Sequence, residues 1–172
     1  MDAGQAEQGS NEARAARVIA EAEARVAATD GPAAAALVGA LFGGVAAEDL
    51  AEYDAAELAA LAGDGLAFLA ERPGHAAKLR IRTPESVAAP APVSVVEIVN
   101  DDMPFLLDSV LGALRELSLD PLLVAHPILA VERDAAGRLV SWEPAGRAGQ
   151  TRAKESLIHI HVDRIVEAAR RD

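Results

Sequence analysis

The sequence predicts an α+β fold: a helical N-terminal segment followed by a βαββαβ-type sheet that stops one strand short. Three observations carry this. Residues 1–75 hold 13 acids against 4 bases, whereas residues 76–172 hold 14 acids against 12 bases. At the same boundary the texture changes from Ala-, Glu- and Leu-rich helical spacing to Val, Ile and Leu runs punctuated by Pro and Gly. From Val93 onward those runs read strand, helix, strand, short return strand, strand, helix.

Taken in order, residues 1–10 are polar and are expected to form a disordered tail, and residues 11–75 a helical segment. A first helix runs from about Asn11 to Ala28, with a thin apolar face of Val18, Ile19, Ala22 and Val26, and ends before Asp30-Gly31-Pro32. A second runs from about Pro32, a good first-turn proline, to Phe42, and stops at Gly43-Gly44. Asp54 and Glu57 have the spacing of a capping box and open a third. Gly63-Asp64-Gly65 is expected to kink or split it, and Arg72-Pro73-Gly74 ends it.

Residues 76–172 make up the sheet portion. Lys78 to Arg82 alternates strictly, as a strand with one wet face does. Pro84 to Pro92 is a connector, and Val93 to Val99 a second strand. Pro104 to Leu117 is a strong amphipathic helix, with Leu106, Leu107, Val110, Leu111, Leu114 and Leu117 on one face. Leu122 to Glu132 reads as one long central strand, with a bulge or an unpaired side at Pro127. Asp134-Ala135-Ala136-Gly137 is a hairpin turn into a return strand, Leu139 to Trp142. Ser156 to Asp163 is the last strand: Ile158, Ile160 and Val162 point one way, and Leu157, His159, His161 and Asp163 the other. Asp163 then looks like the N-cap of a short final helix. The edge left open is expected to lie beyond Asp172 or to be supplied by the Lys78 strand.

Composition removes several function classes. The net charge of −11 leaves no cationic footprint for DNA, RNA or an anionic membrane surface. The absence of cysteine excludes disulfides, thiolate metal sites and a cysteine nucleophile. No run reaches the ~18 apolar residues of a membrane span, and the start lacks a signal-peptide pattern. A cytoplasmic setting is expected.

Few residues suggest chemistry. Asn100-Asp101-Asp102 follows a buried strand and precedes a helix, so it is either a site for an effector ammonium or a cation, or a helix cap. Met103 and Phe105 beside it read as core or interface anchors. His159, His161 and Asp163 share one strand face and form a weak candidate zinc or nickel set, against a polar sheet face. His126, before Pro127, reads as a packed and hydrogen-bonded histidine. Ser109 has no nucleophile elbow around it. Arg147, Arg152 and Lys154 form a basic loop that is either solvated or open to an anionic partner.

These segments resemble, in order and spacing, the N-terminal region of the large bacterial NAD-dependent glutamate dehydrogenases. The matching pieces are Lys78-Leu79-Arg80-Ile81, Val95 to Leu106 with Asp108-Ser109-Val110, His126-Pro127-Ile128-Leu129 and Glu155 to Ile160. The resemblance implies an ACT-like (ferredoxin-like) domain, non-catalytic, within an enzyme that oxidises L-glutamate to 2-oxoglutarate and ammonia with NAD. It implies no catalytic residue and no cofactor within these 172 residues; NAD belongs to the larger enzyme. Implied partners are downstream domains of the same chain and other subunits, with an amino acid as a possible effector. A stand-alone amino-acid-sensing module is the alternative, and a small metal-dependent enzyme the third reading. In ACT domains glycine is usual where Phe105 stands, and Phe105 is expected to fill the space a ligand would need.

Overall fold

The computed structural model describes residues 3–87, 91–147 and 152–166. Four helices and six strands follow in the order α1 (Ala3–Asp30), α2 (Pro32–Phe42), α3 (Ala55–Leu69), β1 (Lys78–Arg82), β2 (Val93–Asp101), α4 (Leu106–Glu116), β3 (Pro121–Ala125), β4 (Ile128–Arg133), β5 (Leu139–Pro144) and β6 (Ala153–Asp163). The first helix starts at Ala3 rather than near Asn11. Its buried stripe of Ala15, Val18, Ala22 and Val26 is narrow, as its spacing requires. α2 takes Pro32 into its first turn. α3 opens with the capping box: Asp54 Oδ1 accepts from the amides of Ala56 (2.7 Å) and Glu57 (2.9 Å), and Glu57 Oε2 accepts from the Asp54 amide (2.9 Å). It then continues through Gly63-Asp64-Gly65 without a break, with Gly65 buried beside Leu37, Leu41 and Glu97.

All strand pairings are antiparallel, in the order β1-β2-β6-β4-β5, with β3 also on β6. β1 occupies the outer edge beside β2, the position a final fourth strand would take in a βαββαβ sheet. Lys78 fastens that edge by donating to the carbonyls of Phe68 and Glu71, while Arg80 lies over the Phe68 ring. The expected long central strand is instead two strands, broken at His126-Pro127. Proline offers no amide to the ladder, so β3 and β4 each pair with a different stretch of β6, and the Leu157 amide bonds the Pro127 carbonyl across the gap.

The N-terminal helical appendage packs directly on the sheet. α1–α3 and the sheet side chains Val93, Val95, Val99, Leu123, Leu129 and Leu157 form one core. The opposite face carries a smaller core, where Val96, Ile98, Ile158, Ile160 and Val162 meet Leu114 and the partly buried Leu106, Leu107, Val110 and Leu111 of α4. Helices therefore cover both faces. Residues 164–166 are not helical; Ile165 is buried, and its amide bonds Ser94 Oγ (2.9 Å). The remainder of the expected last helix, and most of the basic loop before Arg152, lie outside the described residues. Among the described residues no helix is long and apolar enough to cross a membrane.

The β4–β5 turn is locked to the segment after α3. Gly137 has φ 81°, its carbonyl accepts from the Arg72 amide (2.9 Å), and the Leu139 amide bonds the Ala70 carbonyl (2.8 Å). A Cβ on Gly137 would lie 2.3 Å from the Arg72 carbonyl oxygen, so only glycine fits this contact.

Candidate functional site

The β2–α4 corner places Asn100, Asp101 and Asp102 at the end of a buried strand. Neither acid caps α4. The N-cap is Phe105, in the left-handed conformation (φ 63°), with no side-chain cap. Asp101 Oδ1 accepts from Arg72 Nη1 (2.7 Å) and Asn100 Oδ1 from Arg72 Nη2 (3.2 Å). Asp102 accepts from Ser156 Oγ (3.0 Å), and its amide bonds the Lys154 carbonyl. Met103 is 47% and Phe105 77% exposed. The Phe105 ring thus stands out from the corner instead of filling it, while its backbone keeps the geometry glycine would adopt, at a cost of roughly 1–2 kcal/mol. The Ser109 hydroxyl is committed to the Phe105 carbonyl (2.9 Å).

Arg72 is the hub behind this corner. Its side chain is 1% exposed and also reaches Glu155 Oε1 (2.9 Å) and the carbonyls of His75 and Ala76. Arg133 holds the other Glu155 oxygen (2.7 Å). Burial works against the Arg72 charge, but Asp101 and Glu155 outweigh it and hold the guanidinium above its ordinary range. Burial would likewise raise the Glu155 carboxyl; Arg133 and Arg72 reverse this and keep it below the usual range. His75, Asp101 and Glu155 bring potential metal-ligand atoms within 4.8 Å of one another. Arg72 Nη1 bonds both carboxylates of that group, so a protein cation already supplies the positive charge there.

A second polar cluster lies beneath the helical layer. Glu97 on β2 faces His159 on β6, with Glu97 Oε1 and His159 Nδ1 3.2 Å apart. His159 Nε2 and His161 Nε2 are 2.9 Å apart, and His161 Nδ1 is 2.6 Å from Tyr53 Oη. The other Glu97 oxygen accepts from Arg80 Nε (2.6 Å) and Arg82 Nε (3.1 Å), and Arg82 also pairs with Asp64 (2.8 Å). Burial would raise the Glu97 carboxyl; the hydrogen bonds of His159 and Arg80, with the charges of His159 and Arg82, bring it down to about 2. Burial, reinforced by His159 and Arg82, pushes His161 down to about 2. Burial, then Glu57 and Asp49, pushes Tyr53 up to about 12. Of the expected set His159, His161 and Asp163, the histidines meet and Asp163 stands exposed at the strand end. His126 differs from expectation too: its Nε2 is buried with no partner among the described residues, and burial, opposed by Asp102, lowers its pKa.

Comparison with known proteins agrees with an ACT-like sheet. Residues 37–172 match the family described as glutamate dehydrogenase, ACT1 domain. The chain belongs to this family. Two curated relatives are similar, both named NAD-specific glutamate dehydrogenase. The Pseudomonas aeruginosa protein is 33% identical over 75 residues, which is 44% of this chain and 5% of that protein. The Halomonas elongata protein is 30% identical over 125 residues, which is 72% of this chain and 8% of that protein. The chain therefore spans only a small part of these relatives. No solved structure matches it.

As a glutamate dehydrogenase ACT1 domain, the chain is homologous to a region of NAD-dependent enzymes. The residues missed in the sequence are Arg72, Glu97, Arg133, Glu155 and Tyr53. Glu97 did leave a signal: a lone acid inside the apolar run Val95–Val99 needs a buried partner, and Arg80 and Arg82 alternate on the neighbouring strand. Arg72 left none, since its partners come from four separate segments.

Proposed function

We propose that this chain is a regulatory and assembly domain of an NAD-dependent glutamate dehydrogenase, whose whole protein converts L-glutamate and NAD to 2-oxoglutarate, ammonia and NADH in the cytoplasm. The observation that carries this reading is the family match over residues 37–172, in a domain whose acids are engaged by Arg72 and Ser156. The helical segment, residues 11–75, and the ACT-like portion, residues 76–172, act as one body ahead of the downstream domains. Met103 and Phe105 are the contacts through which the corner meets those domains or another subunit. An exposed ring kept in a costly backbone conformation supports that role.

The test is made in the full-length enzyme. Met103→Ala with Phe105→Ala should change subunit assembly, read by light scattering after size exclusion, while the isolated 172-residue chain forms no NADH from glutamate and NAD. Unchanged assembly in the double variant, or turnover by the isolated chain, would sink the reading. A second reading, an amino-acid effector at the same corner, is favoured by the outward Phe105 ring, which leaves the corner open. Calorimetric titration of the chain with the common amino acids decides it; no heat with any of them removes it.

A further inference from the structure

The chain Tyr53–His161–His159–Glu97 crosses the boundary between the helical layer and the sheet. Both histidines and Glu97 are fully buried. Every element packed there contributes. β1 supplies Arg80 and Arg82, β2 supplies Glu97, and β6 supplies the histidines. α3 supplies Asp64, the connector before α3 supplies Tyr53, and the edge of Phe42 from α2 closes on His159. Glu57 and Asp49 are the charges that act on Tyr53.

Hydrogen-bond direction follows from the chemistry of each group. A carboxylate only accepts, so His159 must carry its hydrogen on Nδ1 to bond Glu97. A neutral His159 then accepts at Nε2, so His161 donates from its own Nε2. His161 Nδ1 is left as an acceptor, and Tyr53 must donate its hydroxyl hydrogen to it. One arrangement satisfies all three contacts when both rings are neutral. It gives the two adjacent histidines opposite tautomers.

We propose that these four side chains form an acid-operated latch, which fastens the connector before α3 to the sheet and opens when the histidine pair takes up one proton. A third hydrogen on the pair either sets N–H against N–H across 2.9 Å or reverses the His161–Tyr53 contact, while His159 goes on donating to Glu97. Reversal makes His161 Nδ1 a donor towards Tyr53 Oη, and the tyrosine hydrogen then loses its acceptor. The relief lies next door. Tyr53 borders a cavity of about 320 Å³ whose rim carries Glu48, Asp49, Glu52 and Asp163. A freed hydroxyl can donate to water or carboxylates there. One proton taken up beneath the helices thus becomes a movement of the connector at the surface.

The test is an acid titration of the 172-residue chain by NMR from about pH 8 to about pH 4, the range in which histidine switches charge. The chain has four histidines and one tyrosine, so nitrogen-15 imidazole and carbon-13 phenol labels give few signals. At the alkaline end, His159 should be protonated on Nδ1 and His161 on Nε2. On acidification the two rings should change together with the Tyr53 phenol carbon at one midpoint. Connector amides should lose hydrogen-exchange protection there while β2 and β6 amides keep theirs. Matching tautomers at alkaline pH would overturn the latch. So would independent histidine titrations with Tyr53 unmoved, or simultaneous loss of protection in connector and sheet.

Discussion

Gly137→Ala is the substitution the fold should tolerate least for its size. Gly137 has φ 81°, which costs an alanine roughly 1–2 kcal/mol. Loss of unfolded-state entropy on replacing glycine gives back about 0.4–1 kcal/mol of that. The new Cβ would meet the Arg72 carbonyl oxygen at 2.3 Å, its carbonyl carbon at 2.7 Å and Pro73 Cα at 2.9 Å. All three are backbone atoms, so no side chain can swing aside. The turn must separate from residues 70–72, which breaks the Arg72–Gly137 and Leu139–Ala70 hydrogen bonds at about 1 kcal/mol each. It also disturbs Arg72 in its buried pairing with Glu155, where full rupture would cost about 3–5 kcal/mol. The expected total is a loss of about 3–5 kcal/mol. Urea unfolding followed by the single tryptophan, Trp142 on β5 beside this turn, measures it. Gly63→Ala is the internal comparison. That glycine lies within α3 with nothing near its Cβ, and alanine there should stabilise by up to about 1 kcal/mol. A Gly137→Ala loss below about 1 kcal/mol would refute the close-contact reasoning.

Arg72→Met removes the hub's charge while Glu155 keeps Arg133, so a loss of about 3 kcal/mol in urea unfolding is expected; less than about 1 kcal/mol would show that the hub is not structural. Phe105→Gly relieves the left-handed backbone and gives up little burial, so stability should hold or rise by up to about 1 kcal/mol; a loss of 2 kcal/mol, on the order of a buried ring, would contradict its exposure. Stability should also fall in acid in two stages. While the latch is closed His161 stays neutral, so the unfolded chain binds the extra proton below 6.5, and stability drops by about 1.4 kcal/mol per pH unit until the pair takes up its proton. Below 4.5 the depressed carboxyls of Glu97 and Glu155 steepen the fall, their contribution being complete above that value. Urea midpoints across pH check this, and His161→Gln should flatten the stage between 6.5 and 4.5; an unchanged slope would count against a buried neutral His161.

Local signals carried most of the architecture. The Asp54 cap, Pro32, the Asp134–Gly137 turn and the alternation of β6 are each written within a few residues, and each is present in the fold. Pro127 marked a break in a strand, although one residue could not tell a bulge from two separate strands. What was not legible depends on register and layer order. Placing α1–α3 on the sheet turns the odd-numbered face of β6 inward, and so buries His159 and His161 instead of wetting them. At the corner, the spacing of Asp101 and Asp102 before α4 looks like a cap. The competing partner, Arg72, is distant in sequence and appears only in three dimensions.

The order of the strands in space has a consequence for synthesis. Among the described residues β6 is the last strand in sequence and the central one in the sheet, lying between β2 and β3–β4, which do not pair with each other. α1–α3 can assemble from neighbouring residues as they leave the ribosome, but the apolar run of β2 pairs inward only once residues 153–163 have been made. Until then β2 holds only the short β1 hairpin and leaves its other edge open, the kind of unpaired strand that invites chaperones or aggregation. Folding yield on translation, more than final stability, should therefore be the quantity most sensitive to changes in β6.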